Sequence, residues 1–360
     1  MNWPLRTTLE VEKTRALEKT AFDIDKTTIS YGSDQNNVAP NGYPLKVWGV
    51  AQSFRFPIVY GLQHKTKKLE TELSEIDLAV SKNKLVKEVA KAYMDIQLLN
   101  HKIVVLTQLD SLYLQLVQAT IKRNNQGDAS NLELLTIKAK KIQNEERLKT
   151  CGYDLAQAYQ QLRFMLNIQT EIEVADSLVP MPEFAIATTN TPAMNRLGLM
   201  KDYSSSLKKL EKNSLWPDLS VNYFLGTNSH FDSKYYPGFE VGISVPLFFI
   251  SHQARIKASQ LAEQAVKFYS QSQHSRLLLR QDELKSERLK FYSVVVAFQS
   301  TLLPLNKEVI RVAEQSYKAG EVSLFQLINS FEMASEIQLD YFENVKRYNV
   351  CNFELQYFTY

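Results

Sequence analysis

Hydrophobic and polar positions along this chain follow two different periods, and the places where the period changes mark its elements. Leu219, Val221, Tyr223 and Leu225 alternate with Ser220 and Asn222, and beyond a polar tip Phe239, Val241, Ile243 and Val245 alternate with Glu240, Gly242 and Ser244. A period of two on both sides of a loop predicts a hairpin of two strands with one apolar face, over about 217–246. Pro246 closes the second strand because it has no N–H for the ladder. The period then changes to alternating threes and fours in a charged run over about 252–318, where a long helix is expected, with a kink or local break at Pro304.

The same unit stands earlier in the chain. Residues 27–56 predict a first hairpin, within about 23–56 and with a turn-forming tip from Gly32 to Pro44, and Pro57 then precedes a helical run over about 63–125. Leu69, Leu73, Ile76, Val80, Val86, Val89, Tyr93, Ile96, Leu99, Ile103 and Leu106 mark a coiled-coil seam on that run, which would be a rod about 90 Å long. Tyr31 matches Tyr223 and Pro57 matches Pro246. The segment starting at Gly127 matches the one starting at Gly320. A chain that repeats hairpin, long helix, tight turn and long helix is an internal duplication. The first repeat is expected over 1–168 and the second over 192–360, with an irregular linker at 169–191 between them.

Each turn has its own chemistry. Gly127 and Gly320 suit the left-handed residue that closes an incoming helix. Ser130 with Glu133, and Ser323 with Gln326, fit the capping box that opens the next helix. Return helices are therefore expected over about 130–167 and 323–358. The exposed side chains Arg123, Asp128, Tyr317 and Glu321 are not required by the turn geometry, which makes them candidates for partner contact. Shorter helices are expected over Thr7–Thr20 and Pro192–Asn213. From Pro57 to Gly127 is 70 positions and from Pro246 to Gly320 is 74, so one extra helical turn, a stutter in the seam, is expected in the second rod.

Composition narrows the function. The chain has 360 residues, 44% hydrophobic and 22% charged, with only 11 Gly and 11 Pro, which allows long uninterrupted elements. A net charge of +3 without a basic block argues against nucleic acid. Motifs for catalysis or phosphate binding are not found, and no two of the five histidines, His64, His101, His230, His252 and His274, are spaced i, i+4. No enzyme activity, cofactor or metal site is expected. Cys151 and Cys351 each sit in a helical run and read more readily as small buried hydrophobes, with a disulfide as the alternative. No apolar run reaches the roughly 18 residues of a membrane-spanning helix. The N-terminal residues lack the basic and apolar regions of a signal peptide.

Strands of about ten residues have the length that crosses a bilayer at a tilt. Trp48, Val50, Phe54 and Phe56 would face outward, as would Phe239, Val241, Ile243 and Val245. Small and polar residues such as Gly49, Ala51, Ser53, Glu240, Gly242 and Ser244 would face a lumen. Four strands cannot close a barrel, so a membrane location requires several copies. The alternative is a soluble coiled-coil structural or adaptor protein whose hairpins form a small sheet.

The duplication, the entry into long helices through Pro57 and Pro246, and the two Gly-centred turns resemble the TolC family of outer-membrane efflux channels over nearly the whole chain. The stretches WPDLSVNYF, FEVGISVPLFF and SYKAGEVSLFQLIN look most like the branch paired with heavy-metal pumps of the RND type. The resemblance implies a mainly α fold with a small β part: long antiparallel coiled-coil rods and two duplicated β-hairpins. It also implies a homotrimer with a 12-stranded β-barrel on an α-helical barrel, partnered by a periplasmic adaptor and an inner-membrane pump. The helical part would lie in the periplasm. Arg123, Gly127, Asp128, Ser130, Tyr317, Gly320, Glu321 and Ser323 would form the adaptor-facing tip, and Pro57 and Pro246 the junction between barrel and helices. The family's usual N-terminal helix would be cut short at Met1, as in a module fused to the pump.

Overall fold

The computed structural model describes residues 3–38, 42–175, 177–183, 191–228 and 234–358. The elements in chain order are α1 (Trp3–Glu18), β1 (Thr28–Val38), β2 (Pro44–Phe54), α2 (Pro57–Gln126), α3 (Asn131–Leu166), α4 (Pro192–Asn213), β3 (Asp218–Thr227), β4 (Tyr236–Ser244), α5 (Phe249–Ala297), α6 (Leu303–Lys318) and α7 (Leu324–Gln356). A single 3₁₀ turn, Lys19–Phe22, follows α1, and a π-helical segment, Phe298–Leu302, joins α5 to α6. The fold is mainly α with one small antiparallel sheet. His230 and residues 39–41 of the first hairpin tip lie outside the described residues.

The chain divides into two compact units, Val80–Thr191 with Leu277–Tyr360, and Trp3–Ala79 with Pro192–Arg276. Each draws on both repeats, so a repeat is not a domain.

The second of these holds the sheet, in the order β1-β2-β3-β4, every pair antiparallel. The two hairpins are joined by β2 and β3, where Trp48 stands opposite Leu225 and Val50 opposite Tyr223. β1 and β4 are left as the edges, and Pro237 is tolerated in β4 because an edge strand has a free side. Strand pairing extends further into the first tip than the polar side chains predict. Gly32, Ser33 and Asp34 pair with Val47, Lys46 and Leu45, and the register shifts only between Asp34 and Val38. Backbone groups make the ladder, so polar side chains do not end it while a partner strand continues.

Helices α1 and α4 pack on the N-terminal parts of α2 and α5 in this unit. Arg15 pairs with Glu75 at 2.6 Å, Lys208 with Glu263 at 2.6 Å, and Arg196 with Asp77. Thr66 and Ser206 share a buried hydroxyl hydrogen bond of 2.8 Å.

The helical unit has several small cores rather than one seam. Leu109, Tyr113, Leu116 and Ile137 meet Leu324, Leu327 and Ile328 near the turns. Ala92 and Ile96 of α2 pack with Leu162 of α3, while Leu98, only two residues along from Ile96, packs with Val295 and Val345. One α2 stretch thus buries more than one face. That is why Val86 remains exposed and Leu99 and Ile103 are only half-buried, although all three sit on the predicted seam. Between Asn167 and Thr191 the described residues carry no helix or strand, yet Val174 and Leu178 are buried. Gln97 donates to the carbonyls of Ala175 and Ser177, and Asn349 donates to that of Val179, which lets irregular backbone lie in a core.

The surplus residues of the second repeat are not a stutter. Pro57 opens α2, whereas Pro246 stands three residues ahead of α5. Pro57 to Gly127 is 70 positions and Phe249 to Gly320 is 71. Three residues therefore lie in the strand–helix connection. The fourth is taken up by the π segment, the usual way a helix absorbs one extra residue. That segment immediately precedes Pro304. The Leu303 N–H reaches back to the carbonyl of Phe298, and the helix continues past the proline.

Candidate functional site

Two surfaces emerge, the paired turns and the exposed apolar face of the sheet. At the first turn Gly127 has φ of +83° and at the second Gly320 has φ of +79°, the left-handed conformation that a side chain resists. Asp128 N–H donates to the Arg123 carbonyl at 2.9 Å and Glu321 N–H to the Ser316 carbonyl at 2.8 Å. Gly127 and Gly320 bond to Asn124 and Tyr317. These are Schellman closures of the incoming helices. The outgoing helices open with full capping boxes. Ser130 Oγ accepts from Glu133 N–H at 3.1 Å while Glu133 Oε2 accepts from Ser130 N–H at 3.2 Å. Ser323 and Gln326 repeat the exchange at 3.3 and 2.8 Å.

The other candidate residues do more than decorate these turns. Arg123 is exposed, but its guanidinium donates to the Asp128 carbonyl at 3.0 Å and to the Tyr317 hydroxyl at 3.3 Å. Tyr317 is half-buried, its ring packed on the core that includes Tyr113 and Leu327. Glu321 accepts from Ser316 Oγ at 3.0 Å. Arg123 thus ties one turn to the other, a contact spanning 194 positions that no local pattern announces. Asp128 and Glu321 remain exposed.

Further residues support this end of the unit. Asn124 Nδ2 donates to the Ala129 carbonyl at 2.9 Å. Deeper in, Glu332 accepts from Tyr113 Oη at 2.6 Å and from Lys140 Nζ at 2.8 Å, binding α7 to α2 and α3. Burial, and then that bond to Glu332, push the Tyr113 hydroxyl pKa far above its usual value, so it stays a donor. A groove of about 330 Å³ runs between α6 and α7 just behind the second turn, lined among others by Val309, Val312, Ala313, Ser316 and Val322.

The sheet has two unlike faces. Ile29, Val50, Tyr223 and Phe239 form one row across all four strands, and Tyr31, Trp48, Leu225 and Pro237 the next. Tyr31 and Trp48 pack in a tilted pair with ring centroids 4.6 Å apart. Val221, Val241 and Ile243 continue the band, and most of these side chains are exposed. On the reverse face stand Ser30, Gly49, Asn222 and Glu240. The reverse face is close-set: a Cβ on Gly49 would come within 2.8 Å of Ser30 Oγ, and one on Gly238 within 2.4 Å of the Phe224 ring. Phe224, Leu45 and Val47 make the tip end of this face apolar, which the small-and-polar expectation did not anticipate. Pro57 stands at the first helical position of α2, where its missing N–H costs nothing. Pro246 lies between β4 and α5 without opening the helix.

No helix among the described residues is long and apolar enough to cross a membrane. The two cysteines are free thiols.

No family model matches the sequence, and no curated protein does. Solved structures match over nearly the whole chain. CusC, in structures concerned with conformational changes accompanying folding and transmembrane channel formation, superposes with a TM-score of 0.81 at 15% identity, over 98% of this chain and 87% of that one. The CmeC outer membrane channel of Campylobacter jejuni gives 0.78 at 12% identity, over 99% and 82%. The outer membrane protein VceC from Vibrio cholerae gives 0.80 at 9% identity, over 98% and 92%. The chain has the fold of these outer-membrane channels, the TolC-type fold its motifs resemble.

Proposed function

We propose that this chain is one subunit of an outer-membrane exit duct, a passive conduit in a tripartite efflux system. The observation that carries this reading is the sheet. Its apolar face is uncovered, its other face is small and largely polar, and both of its edge strands are open. In water such a sheet would expose a large apolar patch and two templates for aggregation. In lipid the apolar face is solvated, and the edges must then pair with further copies, since unpaired backbone groups are not tolerated there. Three copies, the trimer implied by the family resemblance, would give twelve strands in one closed barrel.

In this reading the long helices extend into the periplasm. The linked turns, with Arg123, Asp128 and Glu321 at the surface and the α6–α7 groove behind, meet an adaptor protein that joins the duct to an RND-type inner-membrane pump. The pump supplies the energy, and the duct catalyses nothing. Heavy-metal cations are the proposed cargo, supported by the resemblance of the stretches around Trp216, Phe239 and Tyr317 to the heavy-metal branch. The experiment is mass measurement after extraction and transfer into lipid nanodiscs, with a trimer expected. A stable monomer in the absence of detergent would overturn the reading and leave a soluble coiled-coil protein.

A further inference from the structure

The duplication supplies an internal template for the junction between sheet and helices. Where β2 passes into α2, the connection is shorter and partly covered: Phe56 stacks on Trp216 with centroids 4.6 Å apart, and Val59, in the first turn of α2, is 5% exposed, while Ile58 beside it is 47% exposed. Where β4 passes into α5, the three surplus residues produce Val245-Pro246-Leu247-Phe248 ahead of the helix. Leu247 is 73% exposed, Phe248 88% and Ile250 86%, and Val245 and Phe249 are exposed as well. Among the described residues no aromatic ring packs on Phe248 or Phe249.

The template also indicates what a neighbouring copy would cover. Trp216 covers Phe56, two residues past the end of β2, and the counterpart of Trp216 in the first repeat is Ile24, itself exposed. In a closed ring, β1 of the next copy lies beside β4, so Ile24 of that copy would cover Val245, the counterpart of Phe56. Leu247 and Phe248 have no counterpart in the first repeat, so that seam leaves them open. In sequence Leu247 continues the alternation of Phe239, Val241, Ile243 and Val245, the exposed apolar side of β4, and Phe248 follows it. Within two turns of α5 come Arg255 and Lys257, both exposed, with Arg255 3.0 Å from His252 Nδ1. An apolar knuckle flanked by cations matches the boundary between acyl chains and anionic headgroups.

We infer that Leu247, Phe248 and Ile250 form an interfacial anchor that inserts into the phospholipid leaflet where the barrel ends, with Arg255 and Lys257 at the headgroup phosphates. This rests on the proposed barrel, since it takes the outer face of the sheet to be lipid-facing. It gives each subunit a second membrane contact beyond its strands, one that resists vertical and rotational slip at the junction.

The test uses tryptophan reporters in the full-length protein, reconstituted into vesicles of phosphatidylcholine with a minority of phosphatidylglycerol. In a background whose 3 native tryptophans are replaced by Phe, Phe248→Trp or, separately, Ile250→Trp supplies one fluorophore. A second background retains Trp48 alone and reports on the sheet face. Lipids brominated near the headgroup should quench the reporter at 248 or 250 more than lipids brominated near the bilayer centre, with a blue-shifted emission. If Trp48 is quenched while the reporters at both 248 and 250 are not, the knuckle is covered by protein and the anchor is overturned. If no position is quenched, the barrel reading itself fails and the anchor with it.

Discussion

At the residue scale the two cysteines differ in a way that can be measured. Cys351 is buried in α7, its Sγ 4.0 Å from Glu287, and burial, helped by that carboxylate, pushes its pKa up to about 11. Burial also raises Cys151, which is only half-buried. The thiolate is the reactive form, so at pH 8 only about one in a thousand Cys351 side chains is reactive. Iodoacetamide on the native protein should therefore modify Cys151 well before Cys351, with both labelled equally once the chain is denatured. Folding favours the neutral Cys351 thiol. Its contribution to stability is complete below the ordinary thiol range and is lost as pH rises through about 11. Equal labelling rates in the native state would contradict the burial.

The turns, also a matter of single residues, separate scaffold from contact surface. Ser130→Ala or Ser323→Ala removes an oxygen that accepts an N–H, and each should cost about 1 kcal/mol in stability. Arg123→Ala and Tyr317→Phe break the link between the two turns at an exposed position, so stability should fall by no more than about 0.5 kcal/mol. Tyr317→Ala is the wrong probe because the ring packs in a core. If the turns dock an adaptor, Arg123→Ala should lower resistance to the exported substance in cells with trimer melting and membrane level unchanged. Full resistance in Arg123→Ala, Tyr317→Phe and the double variant would leave the turns as scaffold.

At the scale of the element, the strands carry the sharpest test. Val241 and Ser244 belong to the same strand and point to opposite faces, Val241 with Phe239 on the apolar side. Val241→Arg would place a charge against hydrocarbon at a cost of about 2–4 kcal/mol if it lies near the midplane. Ser244→Arg would face the lumen and should be milder. A heat-modifiability or protease-protection assay on membranes should show impaired assembly for Val241→Arg alone, and equal impairment by both would refute the assigned faces. The helices offer a contrast. Asn144 and Asn306, both buried, donate to the carbonyls of Leu106 and Ala334 on facing helices, so polar pins rather than apolar periodicity help set helix register there.

At the scale of the whole molecule, the proposed trimer rests on the open edges β1 and β4. Neither edge is blunted by a covering helix or loop among the described residues, and β4 carries only Pro237 as a natural obstacle to pairing. A nanodisc preparation should therefore give the mass of three chains and no monomer. Dissociation should be cooperative with loss of strand structure, because opening one seam exposes a full ladder of backbone groups on each side. Circular dichroism followed together with mass would check this.

Much of this was present in the residue pattern itself. Period-two alternation located β3 and β4, and the internal repeat carried that reading to β1 and β2. Gly127, Gly320 and the two serine capping boxes located both reversals, and Pro192–Asn213 coincides with α4. These are local properties: a left-handed residue, a hydroxyl three positions from its amide, a face that recurs every second residue. Other features depended on partners distant in sequence. β2 pairs with β3 across an interval occupied by three helices. Irregular backbone around Val174 and Leu178 is buried because Gln97 and Asn349 satisfy it from other helices. Arg123 found Tyr317, and α2 buried several faces where a single seam was expected. The surplus of the second repeat was countable in the sequence. Its division between a knuckle and a π segment was set by packing, because a helix can absorb one residue without losing its neighbours while three are accommodated more cheaply outside it.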